Sequence, residues 1–445
     1  MKTVLKSIPC GQIQGIEQEN CLEFRGVRYA TAARYEMPKE TTSWEGTYDA
    51  TQFGACCYQH RAFEEDAVVN PFYHKEFRRG LHFTYSEDCF FLNIWTPKKA
   101  QNCPVLIFIH GGSFTGGSCD EGHISGARFA EQGIITVAMN YRLGPFGFCA
   151  HKDLKNGSTP LANFGLYDQT TAIEWVLHNI ASLGGNPNRV TLMGQSAGAM
   201  SVDIHLNNPR LKNKFYGAIM LSGSGLQRYA LKPLSIEKVS AFWDKVMENA
   251  HVSTPGALKC IDERRLYYAW KKACKQSKLS MPYTFPVYDG RILKKDTFNM
   301  KHIPNMPYMI GSTCTDMFPA VLELVDKKWG VQTQRHNASP CYFYNFNRWL
   351  PGDDMGAWHS ADLLYAFSTL SISWRPFEAV DYMISQQLSD AICAFVTNGN
   401  PNCDSLPAWL PGYEKPMSFD EHSACGKWHT ADNIKFTLNS KGKTI

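Results

Sequence analysis

Short apolar runs bounded by turn residues recur along the chain: FFLNIW (90–95), PVLIFIHGG (104–112), IITVAMNYR (134–142), RVTLMG (189–194), YGAIMLSG (216–223), MPYMIGST (306–313) and CYFYNF (341–346). Each predicts a buried strand. Helical patterns separate several of them. In DQTTAIEWVLHNIASLGG (168–185), Ile173, Trp175, Val176, Leu177 and Ile180 mark an apolar face that Gly184 and Gly185 end. Strands alternating with helices predict an α/β fold with a central, mostly parallel sheet covered by helices on both faces. From about 225 to 300 the pattern changes to several helices in succession, SIEKVSAFWDKVMENA among them, which predicts a cap beside the sheet. With no internal repeat, low-complexity tract or Pro/Ser-rich linker, the expectation is a single domain over 1–445 carrying that insertion.

Composition narrows the class. The 445 residues are 44% hydrophobic and 19% charged, which suits a globular protein with a large core. A net charge of +4, with no basic stripe and no interleaved aromatics, argues against a nucleic-acid partner. No apolar run approaches a membrane span, and the first residues lack the apolar stretch of a signal peptide, so the expected location is cytoplasmic. The 15 cysteines are odd in number and scattered from Cys10 to Cys425 without a C-x-x-C pair, which predicts free thiols.

The chemistry centres on VTLMGQSAGAMS (190–201), where a strand turns into a helix and Gly194, Ser196 and Gly198 crowd the bend. Small residues suit any strand-to-helix turn that packs closely. The chemical alternative is a nucleophile turn, which strains the serine backbone and lifts its hydroxyl to the top of a sheet. A serine nucleophile needs a base, a group to orient that base, and donors for an oxyanion. Gly111, Gly112 and Ser113, in the glycine-rich loop after the second run, and Ala197, the residue after the serine, offer such N–H groups. His359 lies in a glycine-containing loop past the last run, and Asp316 sits just beyond MPYMIGST. That order, serine, acid, histidine, is the one this architecture uses. Asp316 also suits a helix N-cap. No H-E-x-x-H, P-loop or dinucleotide fingerprint is present, so no metal or cofactor is implied.

With these residues in place, the chain resembles the type-B carboxylesterase family of the α/β-hydrolases. The resemblance rests on EFRGVRYA (23–30), EDCFFLNIW (87–95), HGGSFTGG (110–117), NYRLGPFGF (140–148), NFGLYDQ (163–169), NIASLGGNPNRVTLMGQSAGAMS (179–201), GAWHSADL (356–363) and TNGNPN (397–402). It implies an α/β-hydrolase fold, a small-molecule ester as substrate, Ser196 as nucleophile, His359 as base, Asp316 as acid, and Gly112, Ser113 and Ala197 as oxyanion donors. The chain departs from the family in four places. Ser113 replaces a third glycine, and Asp316-Met317 stands where Glu-Gly is commoner, which leaves Asp353, Asp354 and Asp362 as substitutes for the acid. The 26–38 loop lacks its usual prolines, and Cys89 and Cys56-Cys57 occupy regions that are disulfide-linked in secreted relatives.

Only 42 residues separate Asp316 from His359, with one helix (317–329) and one strand visible between them. That brevity predicts a shallower, more open cleft that holds bulky or aromatic esters, hydroxycinnamates among them, and gives little buried surface to a short acyl chain; the substrate expected overall is a small to medium or aromatic ester. Phe114, Trp358 and Tyr365 are expected at its rim as stacking surfaces, or alternatively in the core. An adhesion-type binding protein that keeps the fold without catalysis, and an amidase, lactonase or thioesterase using the same residues, are the competing functions.

Overall fold

The computed structural model describes residues 2–277 and 284–428. Its N-terminal part is an antiparallel meander, β1 (Thr3–Ile8), β2 (Gly11–Glu17) and β3 (Cys21–Arg28), continued by β4 (Phe91–Pro97). The following strands are β5 (Cys103–Ile109), β6 (Ile135–Met139), β7 (Gly185–Gln195), β8 (Gly217–Leu221), β9 (Tyr308–Thr313), β10 (Cys341–Phe346), β11 (Met417–Phe419) and β12 (Ala424–Cys425). Together they form one sheet in the order β1-β2-β3-β4-β6-β5-β7-β8-β9-β10-β11-β12. From β6 through β11 every pairing is parallel.

Side-chain alternation in the central strands feeds two cores. Val105, Ile107 and Ile109 of β5, with Leu192 of β7 and Met220 of β8, face one side. Leu106, Phe108, Met193 and Ile219 face the other. A strand buried on both faces reads as an unbroken apolar run, which is why these strands stand out in the sequence. On the first side pack α1 (Phe164–Asn179), α2 (Ala197–His205) and α3 (Ile236–Asn249). Between β8 and β9 the chain forms α3 and then α4 (Glu263–Gln276). Residues 278–283 of the expected insertion lie outside the described residues.

The helix after Asp316 is longer than predicted: α5 (Pro319–His336) starts with its proline in the first turn and runs on through Gly330. The second side of the sheet is covered by α6 (Ala361–Ala366) and α7 (Ala379–Asn398), through Leu364, Ile384, Leu388, Ile392 and Phe395. Among the described residues all 15 cysteines are unpaired, and no helix is long and apolar enough to cross a membrane.

Candidate active site

Ser196, Asp316, His359 and the glycine loop all follow the carboxyl ends of parallel strands, where open α/β sheets carry their reactive groups. Ser196 caps α2 with φ 56° and ψ −123°, a conformation that L-residues adopt only under constraint. The constraint is visible. Its N–H donates to Leu221 O at 2.8 Å, and its carbonyl accepts from Met200 N at 3.0 Å. The two flanking glycines are there because the turn leaves no room for a side chain. A Cβ on Gly194 would come within 2.3 Å of Gly198 O, and one on Gly198 within 2.0 Å of Ile109 O. The structural and the chemical accounts of this turn therefore describe the same geometry: close packing of α2 against β5 and β7 forces the serine outward.

Asp316 and His359 are brought together by a single bridge between Thr315 and Trp358, with Thr315 N donating to Ala357 O at 3.3 Å. The result is a hydrogen bond of 2.6 Å from His359 Nδ1 to Asp316 Oδ1. Asp316 is fully buried, and its carboxylate also accepts from Thr313 Oγ1 at 2.9 Å and from Met317 N at 2.7 Å. Burial alone would raise the pKa of Asp316. The charge and hydrogen bond of His359, joined by the Ser222 and Thr313 hydroxyls, outweigh it and hold the carboxyl below its ordinary value. The same balance acts in reverse on the imidazole: burial disfavours its cation, but Asp316 prevails and the pKa of His359 is raised.

With Nδ1 committed to Asp316, His359 turns Nε2 towards the serine turn, where it meets Gln195 Nε2 at 3.2 Å. Gln195 has no place in the sequence reading. It is an unspecified position of the glycine–serine motif, and only the fold shows it folding back against the histidine. Of the substitute acids, Asp353 is engaged by Arg375 at 2.8 and 3.0 Å, Asp354 is exposed, and Asp362 is buried on α6 beside Tyr344.

The glycine loop faces the same cavity. Gly111, Gly112 and Ser113 line it together with Ser196 and His359, and its volume is about 250 Å³. Among the described residues the N–H groups of Gly112, Ser113 and Ala197 have no intramolecular acceptor. Ser113, at the position of the missing glycine, takes φ 54°. Strained non-glycine residues gather here, with Ser113, Phe114, Ser196, Ser222 and Ser360 all at positive φ.

The proposed stacking surfaces are a correction. Phe114, Trp358 and Tyr365 are core residues. The positive φ of Phe114 turns its ring away from the cavity onto Phe148 and Phe285, at 5.0 and 5.4 Å between centroids. Trp358 is enclosed by Phe72, Tyr73 and Phe77. Tyr365 donates to buried Asp381 at 2.8 Å. The aromatic rings that do line the cavity are Tyr73, Phe77 and Phe108. Tyr73 and Phe77 come from PFYHKEFR (71–78), a charged stretch without motif or strand signal, and Tyr73 is tied to the site by a hydrogen bond to His359 O at 3.1 Å. Among the described residues no group of three or more His, Cys, Asp or Glu converges as metal ligands would.

The chain is similar to known proteins over most of its length. The model of the Carboxylesterase family matches residues 3–337 and 314–433, and the chain belongs to that family. It is 34% identical to mouse bile salt-activated lipase over 313 residues, covering 65% of this chain and 48% of that protein. It is 33% identical to the para-nitrobenzyl esterase of Bacillus subtilis (strain 168) over 269 residues, covering 58% of this chain and 52% of the other. The chain thus spans about half the length of these curated relatives. A solved thermophilic pNB esterase superposes with a TM-score of 0.80 at 23% identity, covering 97% of this chain and 99% of that one, and the fold is the α/β-hydrolase fold.

Proposed function

We propose that this protein is a serine carboxylic-ester hydrolase that works through an acyl-enzyme, with residues 1–445 forming one domain and 225–300 inserted in it as a helical cap. The observation that carries the reading is the 2.6 Å bond between His359 Nδ1 and Asp316, made beside a strained serine and a loop of free N–H donors. In this reading Ser196 Oγ attacks the ester carbonyl while its proton passes to His359 Nε2. The N–H groups of Gly112, Ser113 and Ala197 stabilise the oxyanion, and Asp316 holds the imidazolium that forms. The imidazolium then protonates the departing alkoxide, leaving an ester on Ser196. A water molecule, deprotonated by the same nitrogen, hydrolyses it and restores the serine.

The substrate we propose is a small to medium or aromatic ester, hydroxycinnamates among them. Support comes from the Tyr73, Phe77 and Phe108 rings in the cavity, not from the three aromatics expected at the rim. Met317 also lines the cavity and is nearly half exposed, which keeps one side open to a bulky group.

Treatment with a fluorophosphonate followed by peptide mapping tests the assignment. The expected result is a single adduct on Ser196 and loss of p-nitrophenyl acetate hydrolysis in step with labelling. Ser196→Ala should lower kcat by roughly 10⁶-fold. Undiminished hydrolysis in that variant would end the proposal.

A further inference from the structure

The cavity of Ser196 holds polar groups that this chemistry leaves unused. His123 lines it from the connection between β5 and β6. Its ring stacks on Phe77 at 3.7 Å between centroids, and its carbonyl accepts from Thr369 Oγ1 at 3.2 Å, so it is held at ring and backbone alike. The side chain is 5% exposed. Its Nδ1 is buried without a hydrogen-bond partner among the described residues, and Glu121 Oε2, at 3.9 Å, is beyond bonding distance. His110 lines the same cavity. Its Nδ1 lies 2.8 Å from Gly111 O and donates to it, so Nε2 carries a lone pair, and that nitrogen too is buried without a partner.

The surroundings say what such a pair accepts. Burial pushes both imidazoles down to about 4, so both rings are neutral near pH 7. An anion would find no positive charge on them, and Arg78, which lines the same cavity, is already paired with Asp66 at 2.6 Å and with Glu121 at 3.4 Å. A cation would find the charge of Glu121 already taken by Arg61 and Arg78, at 3.2 and 3.4 Å. A neutral imidazole offers one N–H and one lone pair, and a hydroxyl, which both donates and accepts, matches it. Phe77, Phe108, Ile124 and Leu363 make the neighbouring wall apolar.

We propose that His123 is a specificity-determining residue that binds a hydroxyl carried on an apolar, above all aromatic, part of the ester; the proposal rests on the hydrolase reading above and names the substrate feature the cavity selects. A site built to hydrogen-bond a hydroxyl discriminates strongly against the analogue lacking it, because its own buried polar groups are then left unpaired.

Matched ester pairs test this. Methyl 4-hydroxycinnamate against methyl cinnamate carries the hydroxyl on the acyl side; 4-hydroxyphenyl acetate against phenyl acetate carries it on the alcohol side. The wild type should favour the hydroxylated member of one pair by about tenfold or more in kcat/KM, and that pair identifies the side. His123→Phe, which keeps the stack on Phe77, should bring the ratio to about one, and His123→Gln, which keeps a donor and an acceptor, should retain part of it. Ratios near one for both pairs in the wild type, or a preference that survives in His123→Phe, overturn the proposal. Calorimetric binding of the same pairs to Ser196→Ala separates this from the reaction itself and from any failure of His123→Phe to fold. A protein that turns over no ester yet binds the hydroxylated member about tenfold tighter keeps the subsite and loses the hydrolase reading; equal binding of both members removes the subsite.

Discussion

Gln195 Nε2 lies 3.2 Å from His359 Nε2, and among the described residues no hydrogen bond joins Ser196 to that nitrogen. Because Nδ1 serves Asp316, Nε2 presents a lone pair, and the amide N–H of Gln195 is what it accepts. The proposed reaction needs the same lone pair for the serine proton, so the amide has to share it or swing aside.

Gln195→Glu tests whether this contact persists during the proposed reaction. A carboxylate at that distance favours the imidazolium and raises the pKa of His359 further. Since the base must be neutral, the acid limb of kcat/KM should move to higher pH by about one unit or more. Rates between pH 5 and 9 read it directly; an unmoved limb means that residue 195 points elsewhere during turnover.

Asp316→Asn should act in the opposite sense. Burial already disfavours the His359 cation, and only the charge and hydrogen bond of Asp316 bring its pKa above the ordinary 6.5. In the proposed reaction the wild type should lose activity as pH falls through that raised value. Without the carboxylate the limb should move to lower pH, and kcat should fall by about 10³- to 10⁴-fold, because the amide supports the wrong tautomer. Near-normal kcat would hand the role of acid to Asp362, the buried carboxyl whose charge also acts on His359.

The parts of this structure that could be read in advance are those whose cause is local. The central strands are buried on both faces, so nothing polar interrupts them. β1, with every second residue exposed, hides its strand character among lysine, serine and threonine. Ser196 declares itself because the packing that strains it also demands glycine at 194 and 198. Asp316 and His359 have no such signature: a bridge 43 residues apart in sequence joins them, and family order was the guide. The aromatic rim failed for a related reason. Apolar character marks Phe114 and Trp358 as buried or binding, but which of the two depends on the direction of the backbone. Tyr73, Phe77, His123 and Gln195 meet the cavity through contacts that no short window contains.

The segment that follows β6 depends on a buried ion pair. Arg142 Nε and Nη2 donate to Asp168 at 2.8 and 2.7 Å, and its backbone N–H donates to the same carboxylate at 3.0 Å. Tyr141 and Gly144, beside it, bond to His110 O and Phe114 O and so support the glycine loop. Asp168→Asn leaves the guanidinium buried without its counter-charge, and urea unfolding should show a loss of about 3–5 kcal/mol. Arg142→Met combined with Asp168→Leu should lose less, since no charge is left unpaired. A single variant as stable as the wild type would mean that water reaches Arg142.

Asp362 should make stability depend on pH close to the site. Burial raises its carboxyl from 3.8 to about 6; the hydrogen bond from Tyr344, at 2.8 Å, partly opposes this, and the charge of Asp316 adds to it. A group whose pKa is raised in the folded state contributes stability that is fully present below its unfolded pKa and is lost as pH rises through the folded one. The shift corresponds to roughly 3 kcal/mol. Asp362→Asn is neutral throughout, so the stability of the wild type relative to the variant should fall by about 2 kcal/mol between pH 4 and pH 7, the rest of the loss lying below pH 4. Denaturant titrations at a series of pH values measure that difference, and a flat one would show that Asp362 ionises as an ordinary carboxyl. Its ionisation also bears on the base. The Asp362 carboxylate, once formed, favours the His359 cation, so the same substitution should move the acid limb of kcat/KM to lower pH.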